Sequence, residues 1–139
     1  MVDYSPLSNK RKMLERRILV RRVANIVRRM HQSGINHRDL YLCHFWLEDG
    51  TETIERKRLF LIDLHRMQFR RQVPFRWLVK DLGGLYFSAA DCGLSRTDLF
   101  RFISEYSDQP LRKAITQNYK LWQSVIRRAD RMISAGKQG

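Results

Sequence analysis

The sequence lacks a long apolar segment and contains only two cysteines. No apolar run approaches the ~18 residues that a membrane-spanning helix needs, and the N-terminal stretch MVDYSPLSNKRK lacks the apolar core of a signal peptide. The sequence therefore predicts a protein of the cytoplasm. Cys43 and Cys92 lie too far apart to form a spaced pair, which argues against a zinc ribbon or a disulfide framework. Cys43 is predicted to be a small buried residue.

Acidic residues are also scarce. The 139 residues include 14 aspartates and glutamates against 27 lysines and arginines, which gives a formal net charge of +13. Two basic segments, residues 1–36 and 56–76, flank an acidic one at residues 37–55. This distribution favours a polyanionic partner, but nucleic acid, an anionic membrane and a phosphorylated substrate all remain compatible with it.

The high charge does not prevent folding, because apolar residues make up 43% of the chain and aromatic residues 11%. A chain of this length fits one domain with one core. From Arg11 to His31, apolar residues recur at steps of three and four, which predicts one face of a long helix that is terminated by Gly34. The intervening arginines are predicted to form a solvated face, with attraction to membrane or substrate as the second interpretation.

Two short aromatic-rich runs, CHFWL and RLFLIDL, follow and are separated by an Asp49-Gly50 turn signal, which predicts a β-hairpin. Three further helices are then predicted. The first is WLVKDLGGLYFSAAD, the second begins with a capping box at Ser95, and the last runs from Pro110 to Ile133 with a stop at Gly136.

Small and large residues in these helices predict how they pack. Gly83 and Gly84 weaken the helix propensity of their segment and predict close approach to a neighbour. Trp77 and Trp122 are predicted to lie in the core. The predicted fold class is thus α+β, mostly α, with a long helix, a polar loop, a β-hairpin and three further helices in that order.

The polar loop NHRDLYLCHF carries the residues that point to chemistry. Asp39 ends the triplet His37-Arg38-Asp39, and Asp63 ends an apolar strand 24 residues later. Phosphoryl transfer needs two such carboxylates, one beside the acceptor hydroxyl and one holding Mg²⁺ against the phosphates of ATP. His44 stands five residues after Asp39, where protein kinases carry a second metal ligand. Metal ligation and a simple loop hydrogen bond are both open for it.

Five features occur in a fixed order: an amphipathic helix, the HRD triplet, a short strand, a hairpin and a strand ending in aspartate. Together with the stretches MHQSGINHRDLYLCHF, LIDLHRMQFRRQVPFRW and KDLGGLYFS, they make the chain resemble the C-terminal lobe of a protein-kinase-like fold. More closely, it resembles the lipopolysaccharide core heptose(I) kinase family of Gram-negative bacteria. The tetrapeptide DLHR at residues 63–66, in place of the usual kinase DFG, is characteristic of that family.

The resemblance implies a sugar kinase that uses ATP and Mg²⁺ to phosphorylate a heptose of the lipopolysaccharide inner core. Asp39 would be the catalytic residue, and the metal ligands would be Asp63 and His44. Three residues are predicted to support the catalytic loop: His37, Arg38 and Asp81. Three arginines that follow the metal aspartate are candidate contacts to phosphate groups on the acceptor: Arg66, Arg70 and Arg71. Arg38 is also predicted to pair with a nearby acid.

Kinases of this type also have an N-terminal lobe with a glycine-rich strand pair, a strand lysine and a helix glutamate. Nothing upstream of residue 10 predicts these elements. We therefore expect a flexible segment at residues 1–10, a kinase-like C-lobe at 11–136 without its N-lobe, and a tail at 137–139. Such a fragment is expected to be inactive on its own.

The resemblance implies three partners: a lipopolysaccharide inner-core acceptor, an anionic membrane surface and the missing N-lobe. It also implies a location at the cytoplasmic face of the inner membrane. No specific nucleic acid is expected. Two alternatives stay open, namely a non-catalytic basic module that binds nucleic acid or anionic lipid, and a pseudokinase scaffold.

Overall fold

The computed structural model of the chain describes residues 6–138. Over this range the fold is mostly helical, which confirms the predicted class. The helices are α1 (Pro6–Gln32), α2 (Phe75–Ser88), α3 (Arg96–Ser107), α4 (Leu111–Gln117) and α5 (Tyr119–Gln138), with 3-10 turns at Leu42–His44 and Ala90–Cys92. The strands are β1 (Ile35–Asn36), β2 (Phe45–Leu47), β3 (Leu59–Leu61) and β4 (Gln68–Phe69).

The long helix α1 buries the face that its apolar spacing predicts. Val27 and Met30 lie in the core with Leu40, Leu82 and Trp122 from the elements packed against it. Neither α1 nor any other helix within residues 6–138 is long and apolar enough to cross a membrane. The helix begins at Pro6, so residues 6–10 of the expected flexible segment are helical, while residues 1–5 lie outside the described residues.

Gly34 follows α1 and has φ of +82, a conformation that glycine adopts without steric cost. A Cβ at this position would overlap the carbonyl oxygen of Arg70. Close approach is needed because the amide of Arg70 donates to the Gly34 carbonyl at 2.8 Å, next to the antiparallel pair β1–β4. The sequence does not predict this pair, since two-residue strands contain too few residues to show an alternating pattern.

The predicted hairpin is confirmed: β2 and β3 are antiparallel, with Trp46 opposite Phe60. The capping box is confirmed too, because the Ser95 hydroxyl accepts from the Asp98 amide and the Asp98 carboxylate accepts from the Ser95 amide. Cys43 was predicted to be buried and is exposed, because it lies on the outer side of a 3-10 turn.

The predicted last helix is wrong in detail, because four helices rather than three follow the hairpin. Asn118, with φ of −118, separates α4 from α5, and Pro110 caps α4 from outside its first turn. α5 then continues past Gly136 to Gln138, so part of the expected tail is helical and residue 139 lies outside the described residues. After the break, Leu121 of α5 packs in the core.

α2 packs closely against the polar loop, as its glycines predict. A Cβ on Gly84 would lie 3.1 Å from the Leu40 carbonyl oxygen, and one on Gly83 would lie 3.0 Å from Cδ of Arg128. Of the two predicted core tryptophans, Trp122 is buried but Trp77 is only partly so. α2 therefore supplies both core packing and a partly exposed aromatic ring beside the loop.

An apolar cavity of about 470 Å³ lies between α1, α2, α3 and α5. Aliphatic and aromatic side chains such as Leu19, Leu85 and Phe102 line it. None of the residues predicted to carry chemistry lines this cavity. The site described next is instead an open surface at the end of β3.

Candidate active site

A single buried carboxylate from α2 holds the polar loop. Asp81 is 1% exposed, and its two oxygens accept hydrogen bonds from the backbone amides of His37 at 2.8 Å and Arg38 at 2.9 Å. Arg38 has φ of +78, which a residue with a side chain rarely adopts and which costs about 1–3 kcal/mol. The two hydrogen bonds offset this cost and set the direction in which Asp39 leaves the loop.

The same carboxylate is also tied to α1 and α3. His31 Nε2 lies 2.9 Å from Asp81 Oδ2, and His31 Nδ1 lies 2.7 Å from the Tyr106 hydroxyl. Burial, and secondly the charge of Asp81, raise the pKa of Tyr106, so its hydroxyl stays protonated and can donate to a neutral His31. The sequence does not predict these contacts, because 75 residues separate His31 from Tyr106 and no local pattern links them.

His37 joins the loop to the end of β3. Its ring is fully buried, with Nε2 at 3.0 Å from the Ile62 carbonyl oxygen and Nδ1 at 3.1 Å from the Asp39 amide. These contacts require a neutral ring that donates from Nε2 and accepts at Nδ1. Both nitrogens are therefore engaged with backbone, which is the geometry of a residue that supports the loop.

His44 lies between the two carboxylate residues of the predicted site. Its Nδ1 is 2.7 Å from the Asp39 carbonyl oxygen, to which it donates, and its Nε2 is 3.2 Å from Oδ2 of Asp63. With Nδ1 donating, Nε2 either donates to Asp63 as part of an imidazolium or offers a lone pair beside the carboxylate. The structure thus brings together the three residues that the sequence separates by up to 24 positions.

Asp63 occupies a strained position at the end of β3. Its φ is +62, which makes it one of three non-glycine residues with positive φ in the described chain, together with Arg38 and Asp108. Its side chain is 34% exposed, and its Oδ1 pairs with Nδ1 of His65. Two such conformations flank the site, and strain of this kind concentrates at functional sites.

The donor set fits Mg²⁺ only in part. Among residues 6–138, no group of three or more histidine, cysteine, aspartate and glutamate side chains could hold a metal alone. Mg²⁺ typically takes one or two protein carboxylates and completes its shell with phosphate oxygens and water, which Asp63 allows. The imidazole nitrogen of His44 is a poorer ligand for Mg²⁺, so its metal role stays a prediction.

The three predicted acceptor arginines have different surroundings. Arg66 Nη1 pairs with Oδ1 of Asp39 at 2.5 Å. Arg70 donates to the Gln68 side-chain oxygen at 2.7 Å, and Arg71 is exposed. Only Arg66 directly contacts the predicted catalytic residue.

Arg38 does not make the acidic pair that was predicted for it. Within residues 6–138 its guanidinium forms no ion pair, and its Cζ lies 5.5 Å from the centroid of the Trp77 ring. Arg38 is only partly buried. The backbone of Arg38 supports the loop while its side chain is directed elsewhere.

Lys80 is a residue near the site that sequence analysis missed. Burial lowers its pKa first, and three positive charges lower it further, from Arg66, Arg38 and Arg128. Asp39 acts in the opposite direction. The ammonium group of Lys80 therefore lies in the field of the Asp39–Arg66 pair. Its position directly before Asp81 on α2 is the sequence feature that could have identified it.

Comparison with known proteins places this geometry in a family. Residues 5–106 match the lipopolysaccharide kinase (Kdo/WaaP) family. The chain belongs to this family. It is 45% identical over 118 residues to the lipopolysaccharide core heptose(I) kinase WaaP of Escherichia coli K12, an alignment that covers 84% of this chain and 44% of that kinase.

A second family member, the WaaP heptose(I) kinase of Pseudomonas aeruginosa, is also 45% identical over 118 residues, with the same shares of 84% and 44%. A solved structure, WaaP in complex with acyl carrier protein, superposes with a TM-score of 0.77 at 45% identity and covers 84% of this chain and 49% of that one. The predicted family and its kinase-like fold are confirmed. The chain spans less than half the length of the curated relatives it matches.

Proposed function

We propose that this chain is the C-terminal lobe of a kinase that transfers the γ-phosphate of ATP to a heptose hydroxyl of the lipopolysaccharide inner core. The observation that carries the proposal is the position of His44, whose two ring nitrogens reach the Asp39 carbonyl and the Asp63 carboxylate at 2.7 and 3.2 Å. Two carboxylate residues are thereby held on opposite sides of one ring. Membership in a kinase family supports the reaction class.

In this proposal Asp39 faces the acceptor hydroxyl. Its carboxylate accepts the hydroxyl proton as the sugar oxygen bonds to the γ-phosphorus and the bond from that phosphorus to the ADP oxygen breaks. Arg66 orients the carboxylate through its 2.5 Å contact with Oδ1, which leaves Oδ2 for the hydroxyl. The buried Asp81 keeps the loop rigid, because both amides that precede Asp39 are bonded to it.

Asp63 would hold Mg²⁺, which would supply positive charge to neutralise the charge that develops during transfer. The outer face of the β2–β3 hairpin lies beside it and exposes Trp46 at 61% and Phe60 at 47%. Trp46 lies two residues after His44 in the sequence. Together with its cross-strand partner Phe60, it offers an aromatic surface for the adenine base. The hairpin thereby supports both ends of the nucleotide.

The protein is proposed to act at the cytoplasmic face of the inner membrane, together with an N-lobe that covers the phosphates. The net charge of +13 supports this location, since the leaflet and the phosphorylated acceptor are both anionic. Basic residues that are free to face such a surface include Arg17, Arg21 and Arg29 on α1, which are all exposed.

A non-catalytic nucleic-acid module is less well supported. Three other arginines of α1 are engaged within the fold, so part of its charge is structural. Arg16 donates to the Gly93 carbonyl at 2.9 Å, and Arg22 donates to the Ile54 carbonyl at 2.7 Å. Arg28 pairs with Asp108 at 3.0 Å.

The proposal is tested by Asp39→Asn in the full-length kinase that contains this chain. Phosphate transfer from γ-labelled ATP to inner-core lipopolysaccharide is expected to fall about 10²–10⁴-fold, the usual contribution of a general base. Asp130→Asn, an exposed position on α5, is the control and should retain activity. Undiminished transfer by the Asp39 variant contradicts the proposal, and absence of Mg-ATP binding by the unaltered kinase favours a scaffold.

A further inference from the structure

Four positive charges surround one aromatic ring beside the proposed site. Their distances from the Trp77 ring centroid are 5.1 Å for Arg76, 5.3 Å for Lys80, 5.5 Å for Arg38 and 5.6 Å for Arg70. Two of these residues lie on α2, one on the loop after β1 and one after β4. The fold therefore gathers this group of four cations, here called the Trp77 cluster, from three separate segments.

The Trp77 cluster is not neutralised within residues 6–138. Arg70 donates only to the uncharged Gln68 side chain, and the other three cations make no ion pair with any carboxylate of this range. The two nearby acids are occupied, since Asp39 pairs with Arg66 and Asp81 binds backbone amides and a histidine. Cation–π contact orients a cation over a ring, but the ring carries no net charge to cancel it.

Two buried hydrogen-bond donors in the cluster also have no acceptor. The indole Nε1 of Trp77 and the Nε of Arg38 are both inaccessible to solvent and unbonded in the described part of the chain. Neighbouring positive charges contribute to the lowered pKa of Lys80, in agreement with a group that carries too many cations. The charged groups, and not these two enclosed donors, are what an incoming anion can reach, so what the cluster lacks is an anion with oxygen acceptors.

We propose that the Trp77 cluster binds a phosphate or carboxylate group carried by the saccharide acceptor. Guanidinium groups bind both anions through paired hydrogen bonds, and Arg38 and Arg70 approach the same ring. Arg38 directly precedes Asp39, so an acceptor anchored here presents a neighbouring hydroxyl to the catalytic carboxylate. The identity of the acceptor rests on the proposed function, whereas the anion site does not.

The headgroup of an anionic lipid offers the same chemistry as the acidic group of a sugar. The degree of burial favours the sugar. Within the cluster, Trp77, Arg38, Arg70 and Lys80 are partly buried, and Arg76 is exposed. A flat membrane contacts exposed side chains, whereas a small anion can enter between partly buried ones.

Inorganic phosphate is the first probe, titrated into the 139-residue chain at constant ionic strength. The readout is the indole ¹⁵N–¹H resonance of Trp77, assigned by its loss in Trp77→Phe. A saturable shift is expected, and the double variant Arg76→Gln, Lys80→Gln should raise its Kd about tenfold or more. The matched control is Arg112→Gln, Lys113→Gln, which removes the same charges from exposed positions on α4 and should change the Kd less than twofold.

Three outcomes overturn the proposal. The first is the lack of a saturable shift at Trp77. The second is an equal loss of affinity in both double variants, which would indicate general charge attraction. The third comes from vesicles of phosphatidylglycerol and phosphatidylcholine. If the Arg76, Lys80 variant loses vesicle binding but binds phosphate normally, the cluster contacts lipid and not the acceptor.

The full-length kinase provides a second test. With an acidic inner-core acceptor, Arg76→Gln, which leaves Lys80 and its field at Asp39 in place, should raise the KM for the acceptor about tenfold while kcat and the KM for ATP change less than twofold. With an acceptor stripped of its acidic groups, variant and unaltered kinase should not differ. A drop in kcat alone contradicts the proposal. If no lipopolysaccharide is phosphorylated at all, the proposed function fails, and the phosphate titration still decides whether the anion site exists.

Discussion

The carboxylate of Asp81 accepts a hydrogen bond from the backbone amide of His37, with 2.8 Å between N and Oδ2, although 44 positions separate the two residues in the sequence. It accepts the amide of Arg38 as well, and it contacts Nε2 of His31. One side chain on α2 thus connects the long helix α1 to the loop that carries Asp39. The rigidity of the proposed site depends on this carboxylate more than on any residue of the loop itself.

Replacement of Asp81 by asparagine should therefore destabilise the fold. The asparagine amide keeps one acceptor oxygen but turns its NH₂ group toward a donor. At least one of the donors that now bind Asp81 therefore loses its acceptor, and each such loss costs about 1–3 kcal/mol of stability. We expect the free energy of unfolding from urea denaturation to fall by about 2–4 kcal/mol. Asp130→Asn on exposed α5 should change it by less than about 0.5 kcal/mol. Equal stability of the two variants would show that the hydrogen bonds of the Asp81 carboxylate do not stabilise the fold.

Elements with a local signal could be predicted from the sequence. The spacing of apolar residues predicted α1, and the turn signal at Asp49-Gly50 predicted the hairpin. The capping box at Ser95 needed only four residues to be recognised. The sequence also predicts Asp39 and Asp63 as site residues, because their order along the chain matches a known family, and their roles stay a prediction. In each case the information lies in a short segment.

Features that depend on distant segments could not be predicted in this way. The β1–β4 pair exists because Gly34 and Arg70 meet, and neither segment has a strand pattern of its own. The cations around Trp77 come from three separate segments. Trp77 itself is only partly buried, although its residue type alone predicted a core position. The break at Asn118 has neither a glycine nor a proline at that position to signal it.

Gly34→Ala should be more harmful than Gly93→Ala. Both glycines have positive φ, at +82 and +68, so alanine pays a similar conformational cost of about 1–2 kcal/mol at each. A Cβ at Gly34 additionally overlaps the Arg70 carbonyl, whereas nothing lies within 4 Å of one at Gly93. The difference between the two variants isolates the overlap, and we expect it to exceed about 1 kcal/mol in urea denaturation. Similar losses for both would mean that the chain relaxes around position 34.

His44→Asn distinguishes the two roles that are open for His44. If Nε2 ligates the metal, the unaltered kinase should respond more strongly to Mn²⁺ than to Mg²⁺, because imidazole suits softer metals, and the variant should lose this preference. If His44 only bonds Asp39 and Asp63, the ratio of the two rates should stay constant while both rates fall. Initial rates of transfer with each metal give the ratio. Asp91→Asn, on the exposed second 3-10 turn, is the control.

Lys80→Gln should change how stability depends on pH. The folded-state pKa of Lys80 is lowered from 10.5, first by burial and then by Arg66, Arg38 and Arg128. Below that lowered pKa the lysine is charged in both states, so its unfavourable surroundings destabilise the folded state in full. Above 10.5 it is neutral in both states, and the penalty is gone.

The unaltered chain should therefore gain stability relative to Lys80→Gln as pH rises from the lowered pKa to 10.5. After solvent screening the gain is about 0.5 kcal/mol or less, because the lysine is only partly buried. Urea denaturation at pH 7 and pH 10.5 measures it, and Lys113→Gln corrects for the titration of other groups. A constant difference between the variants across this range would mean that Lys80 titrates as an ordinary surface lysine. It would then also remove the pKa of Lys80 from the arguments for an excess of positive charge at Trp77.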